Sequence, residues 1–128
     1  MSFFKRNAPD PATIFVVDDE PLLLDLAEAV LAPLDCKVRK FTDPEEALRE
    51  FAKAAPALVV TDYAMGRMSG MDLIRECRLL NPVQKTILVS GTVDGAVFAN
   101  AQVTPDAFVA KPYDVKSLTE MVRKMIAA

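Results

Sequence analysis

Residues 57–66 read ALVVTDYAMG, and this stretch decides the fold. Leu58, Val59 and Val60 after Ala57 form a short continuous apolar run, the pattern of a strand covered on both faces. Within two positions the run ends in the carboxylate of Asp62, a charge that is costly to bury without a partner. Either Asp62 caps a turn or it performs chemistry.

Similar runs recur along the chain. TIFVV (13–17), TILV (86–89) and AFVA (107–110) also read as covered strands. KVRKF (37–41), with three basic residues, suits an edge strand with one wet side. Helical patterns fall between them. Pro21 opens a helix with Leu23, Ala27, Val30 and Leu34 on one face, which Pro33 should end or kink. Asp43-Pro44-Glu45-Glu46 reads as a cap, a first-turn proline and a capping-box glutamate. Ser69 and Asp72 repeat the device before a stripe of Leu73, Cys77 and Leu80, which makes Cys77 core filler. After Asp114, a likewise suitable cap, Val115, Leu118, Val122 and Met125 recur at helical spacing. The segment 92–102, with Gly95 and Asn100, is the poorest helix former of the set.

The strict strand–helix alternation predicts an α/β fold, a five-stranded parallel sheet with helices on both faces and right-handed crossovers. Residues 1–12 are expected as a flexible leader and 13–127 as one domain, which a chain of 128 residues with 52% hydrophobic content can support. A net charge of −3 offers no footprint for direct nucleic acid binding. With no histidine and two cysteines outside any CxxC pattern, zinc sites and Ser/Cys-His catalysis are excluded. Neither a signal-peptide apolar region nor a long apolar span is present, so no membrane association and a cytoplasmic location are expected.

In such sheets chemistry collects at the carboxyl ends of the strands. Those ends carry Asp18 and Asp19, Asp62, Ser90 and Lys111. Taken singly, each has an ordinary structural reading as a helix cap, an Asx-turn or a solvated charge. Taken together, three clustered carboxylates repel one another unless a cation neutralises them. Oxygen donors without His or Cys point to Mg²⁺ and to phosphoryl transfer.

These residues also carry a resemblance. FVVDDE (15–20), VVTDYAMGRMSGMDL (59–73), ILVSGT (87–92) and FVAKPY (108–113) are similar, in order and spacing, to the signature segments of the receiver domains of bacterial two-component response regulators, over residues 13–127. The stand-alone, chemotaxis-regulator-like members are the most similar in form. The resemblance implies a doubly wound, flavodoxin-like sheet of order 2-1-3-4-5. It makes Asp62 the phospho-acceptor, Asp18 and Asp19 holders of Mg²⁺, one directly and one through water, and the Ala64 backbone carbonyl a further ligand. Lys111 would pair with Asp62 and then with the phosphoryl group, from a peptide to Pro112 that in the family is often cis. Ser90 would bond a phosphoryl oxygen, and the rotamer of Phe108 would follow.

The implied partners are a sensor histidine kinase or phosphotransfer protein, and a downstream target docked on the face of the fourth helix, fifth strand and fifth helix. Homodimerisation is left open. The chain would not be an enzyme beyond its own phosphorylation and slow dephosphorylation. Two rivals are an interaction-only receiver and an aspartyl phosphohydrolase of the haloacid-dehalogenase type, which would want an acid where Ala64 stands. Departures from the family pattern are Gly66 in place of the usual proline, expected to loosen the loop after Asp62, small Ala64 and Thr92 at positions that affect phosphoryl lifetime, and AQVTPDAF (101–108) in place of a short Gly-Ala turn.

Overall fold

Apolar runs too short for helices, each followed by a capped amphipathic stretch, assemble as that alternation requires. The computed structural model describes residues 11–91, 103–112 and 114–127. Its elements are β1 (Thr13–Val17), α1 (Pro21–Leu31), a 3-10 turn (Ala32–Leu34), β2 (Lys37–Phe41), α2 (Pro44–Lys53), β3 (Leu58–Asp62), α3 (Gly70–Leu80), β4 (Thr86–Ser90), β5 (Ala107–Ala110) and α4 (Val115–Ala127). The expected helix over 92–102, including Thr92, and leader residues 1–10 lie outside the described residues.

All five strands pair in parallel, in the order β2-β1-β3-β4-β5. Because side chains alternate along a strand, each strand feeds two cores. Ile14, Val16, Leu58, Val60, Ile87 and Val89 pack with Leu24, Ala27, Val30 and Leu31 of α1 and with Leu118 and Val122 of α4. Phe15, Val17 and Val59 pack on the other face with Ala47 and Phe51 of α2 and Leu73 and Cys77 of α3. The order reverses between β1 and β3, so the crevice at their carboxyl ends is where ligands bind in such sheets.

Each expected capping residue caps its helix, but the capping box expected between Asp43 and Glu46 is not formed among the described residues. Asp43 accepts from the Glu45 amide at 2.9 Å. Ser69 and Asp72 close a reciprocal capping box at 3.1 Å in both directions. Asp114 accepts from the Ser117 amide at 3.3 Å and from its hydroxyl at 3.0 Å.

Several sequence expectations are corrected. The buried stripe of α1 includes Leu24 and Leu31, whereas Leu23 is only half-buried and Leu34 lies in the 3-10 turn. Pro21 sets where the helix begins, but packing against the sheet sets its rotation. In α3, Leu80 is 57% exposed, and the buried positions fall to Met71 and Ile74 alongside Leu73 and Cys77. Val115, expected on the apolar stripe of α4, is 54% exposed, and the buried positions there are Leu118 and Val122. β3 runs from Leu58 to Asp62 rather than ending at 60, and β4 includes Ser90, so both polar residues belong to the sheet itself.

β2 lies at the edge, yet its basic residues cover both faces. The Arg39 guanidinium sits 5.3 Å from the centroids of the Phe15 and Phe41 rings and bonds Glu50 at 2.9 Å. On the other face, Lys40 bonds Asp25 and Glu28, each at 2.9 Å. Among the described residues no helix is long and apolar enough to cross a membrane.

Candidate functional site

Strand ends bring the predicted residues to one rim. Asp18 follows β1 directly and is buried, with its amide donating to Phe41 O at 3.0 Å and its Oδ1 accepting from the Glu20 amide at 3.0 Å. Asp19, the next residue, is exposed. Asp62 ends β3 and is 8% exposed. One carboxylate oxygen from each of the three lies within 4.8 Å of the others.

Lys111 follows β5 and reaches across the crevice. Its Nζ is 3.0 Å from Asp18 Oδ2 and 3.2 Å from Asp62 Oδ1. The Lys111–Pro112 peptide is cis, as the resemblance implies. Burial by itself would lower the lysine pKa, but the carboxylates of Asp18 and then Asp62 outweigh it and hold it above its ordinary value. For Asp62 burial is the largest influence and raises its pKa; Lys111 opposes it, while Asp18 adds repulsion.

Three carboxylates against one ammonium leave two negative charges in a pocket of hard oxygen donors. That charge and donor set fit Mg²⁺, which binds a couple of carboxylates and keeps several waters.

Ser90 is buried at the end of β4, opposite Ala110 in the register, and its carbonyl accepts from the Lys111 amide at 2.8 Å. Thus the hydroxyl and ammonium positions are tied by backbone. Phe108 is half-buried against Met71, Ile74 and Leu88, in the same cluster as Tyr63. Ala64 lies exposed on the loop between β3 and α3, two residues beyond Asp62. Gly66 has φ +85°. Proline, locked near −65°, cannot take that angle, so glycine here serves a different turn rather than a loosened version of the same one.

Three features escaped sequence reading. Gly70 opens α3 so close to β3 that a Cβ on it would come within 2.2 Å of the Asp62 carbonyl oxygen, and its amide donates to Tyr63 O at 2.8 Å. Thr61, fully buried, donates its hydroxyl to Asp62 O at 2.9 Å. Arg78 of α3 bonds Asp106 Oδ2 at 2.9 Å, Thr86 Oγ1 at 3.2 Å and the Thr104 carbonyl, and so pins the residues leading into β5. Asp106 also accepts from the Thr86 amide at 2.7 Å. Only the glycine after a cap, SG at 69–70, left any signal of these contacts in the sequence.

Comparison with known proteins agrees with the geometry. The chain is 29% identical over 122 residues to response regulator Rre1 of Synechocystis sp., covering 92% of this chain and 53% of that protein. It spans about half the length of the curated relatives it matches first. The crystal structure of a response regulator receiver domain protein from Clostridium thermocellum superposes with a TM-score of 0.80 at 28% identity, covering 91% of this chain and 94% of that one. A CheY-like receiver domain protein from Methanospirillum hungatei gives 0.81 at 26% identity, with 91% and 94% covered. Residues 14–123 match the response regulator receiver domain family, and with a sheet of order 2-1-3-4-5 and an acidic rim bridged by lysine, the chain belongs to that family.

Proposed function

We propose that Asp62 accepts a phosphoryl group from the phosphohistidine of a sensor histidine kinase or phosphotransfer protein, or from a small phosphodonor. The observation that carries this reading is the three-carboxylate rim with Lys111 bonded to both Asp18 and Asp62. An Asp62 carboxylate oxygen forms a bond to phosphorus as the donor's bond breaks, P–N with the electron pair returning to the imidazole for phosphohistidine, P–O with acetate leaving for acetyl phosphate. Asp18, Asp19, Asp62 and the Ala64 carbonyl would hold Mg²⁺, which would neutralise phosphoryl charge when bound.

Asp62 is held by β3 and shielded from water, so its carboxylate reaches the phosphorus with little reorganisation. Lys111 meets the charge that develops on the phosphoryl oxygens and keeps Asp18 paired as Asp62 reacts. Ser90 donates its hydroxyl to a phosphoryl oxygen, which draws the end of β4 inward and lets Phe108 repack. The face carrying β5 and α4 then presents a changed surface to a downstream protein.

Donor docking has a candidate surface beside the site. Leu22 is 82% exposed and Leu26 46% exposed, and a hollow beside them is lined by Leu23, Leu26, Lys111 and Pro112. Exposed apolar groups next to a reacting centre suit a protein donor. No turnover of an external substrate is proposed, because Ala64 supplies no second acid for hydrolysis.

Intact mass after incubation with Mg²⁺ and acetyl phosphate tests the reading. One added phosphoryl group is expected, labile to hydroxylamine and absent in Asp62→Asn. Modification that persists in the variant would overturn it.

A further inference from the structure

The loop that follows Asp62 is anchored on alternate sides. Tyr63 packs toward Met71, Ile74 and Leu88, while Met65 is buried on the other face among Phe15, Val17 and Phe41. Ala64, between them, is exposed, so the orientation of its peptide is set by its neighbours rather than by its own side chain. Tyr63 is held by backbone on both sides, through its amide to Val89 O at 2.9 Å and its carbonyl from the Gly70 amide at 2.8 Å. Among the described residues Met65 shows no comparable backbone tie, and its sulfur lies 3.7 Å from the hydroxyl of Thr61.

Thr61 points away from the acidic rim, with the parity of Val59, into the core against α2 and α3. A polar residue with no exposed surface is costly there unless its hydroxyl has work. That hydroxyl has one proton, which the Asp62 carbonyl at 2.9 Å takes, and its oxygen also lies 3.7 Å from Met65 Sδ, so it touches both ends of the segment that carries Ala64.

We infer that Thr61 is a positioning residue: its hydroxyl bonds the Asp62 carbonyl and packs against Met65, and thereby sets the direction of the Ala64 carbonyl for a divalent cation. The inference rests on the Mg²⁺ reading above. It assigns to a core position behind Asp62 a role in metal affinity. Valine has the same shape without the hydroxyl, and serine keeps the hydroxyl without the methyl, so the pair separates bonding from packing.

The test is titration of the whole chain with MgCl₂ alone, with no phosphodonor, followed by the NMR shifts of the amides of residues 63–68. Thr61→Val is expected to weaken Mg²⁺ binding roughly tenfold, the lower end for groups that orient a metal ligand. Thr61→Ser is expected to stay within about twofold of wild type, whatever either variant does to stability, since binding is read on the folded population. A valine variant that binds as wild type does, or a serine variant as weak as valine, would overturn the inference. If Thr61→Val does not fold, Met65→Leu serves in its place, with weaker binding expected and unchanged binding overturning the idea. A wild-type chain that binds no Mg²⁺ would refute the metal reading itself, and this inference with it, a result distinct from unequal or equal variants.

Discussion

The ammonium of Lys111 lies 3.0 Å from Asp18 Oδ2, so the lysine has a carboxylate partner that does not depend on Asp62. Removing the charge of Asp62 therefore leaves no buried ammonium unpaired. Burial and the repulsion of Asp18 raise the Asp62 pKa against the pull of Lys111, so the folded chain holds this proton to a higher pH than the unfolded chain does. A raised carboxylate pKa costs stability as pH climbs through it and costs nothing below the ordinary aspartate value. Asp62→Asn is thus expected to be more stable than wild type at neutral pH without metal, by about 1 kcal/mol. The gain should fade in acid, and Mg²⁺ should stabilise wild type more than the variant. Urea titration at several pH values reads all three, and a variant less stable than wild type would make Asp62 a structural cap.

Gly70 offers a second test, because α3 begins against the backbone of Asp62. A Cβ there would meet Asp62 O at 2.2 Å and Leu88 Cδ1 at 2.8 Å, and neither the strand backbone nor a fully buried leucine has room to move. Gly70→Ala is expected to lose about 1 to 3 kcal/mol, the range for overpacked cores, despite the better helix propensity of alanine. Phosphorylation by acetyl phosphate should slow as the end of β3 shifts. Denaturation and the rate of mass gain measure the two effects separately.

Cys77 gives a pH prediction far from the rim. Burial pushes its thiol from an ordinary value of 9.0 up to about 12. The unfolded chain loses this proton first, so stability should fall as pH rises from about 9 towards 12. With its pKa raised this far by burial, the native Cys77 thiol stays protonated at pH 8. A chromogenic disulfide reagent should therefore modify Cys77 only on unfolding, while half-buried Cys36 reacts first. Rapid native labelling of Cys77, located by peptide mass, would contradict its place in the core.

Ser90 tests how phosphorylation is read out. A ligand shifts an equilibrium only through contacts that differ between the two states, and a bond from Ser90 to the phosphoryl group is the proposed difference. Ser90→Ala should still accept phosphate on Asp62, but NMR shifts over 103–112 should shrink at equal occupancy, in line with coupling of about 1 to 3 kcal/mol. Equal shifts in both proteins would place the coupling elsewhere.

Arg78→Ala should destabilise the chain by about 1.5 to 3 kcal/mol, because Asp106 and the Thr104 carbonyl lose a charged donor. Thermal unfolding measures this. The site at the opposite ends of the strands should keep its Mg²⁺ affinity.

Much of this molecule was determined by local sequence. Apolar runs too short for helices, separated by capped amphipathic stretches, leave a parallel sheet as the only way to bury both faces of each strand, and family resemblance supplied the strand order. Chain direction then obliges the residues after each run, Asp18, Asp62, Ser90 and Lys111, to share one rim. Tertiary structure alone decided the contacts between elements. The rotation of α1, which buries Leu24 rather than Leu23, follows from packing on the sheet and not from the helix's own period. The exposure of Leu80 and Val115, both on apolar helical stripes, is likewise visible only in the folded chain. The reach of Thr61 to Met65 and the grip of Arg78 on Asp106 join residues whose spacing along the chain carries no trace of the contact, and of the fit of Gly70 against Asp62 only the glycine after a cap gave a sign. Periodicity reports which way a side chain faces, and only packing reports what it meets there.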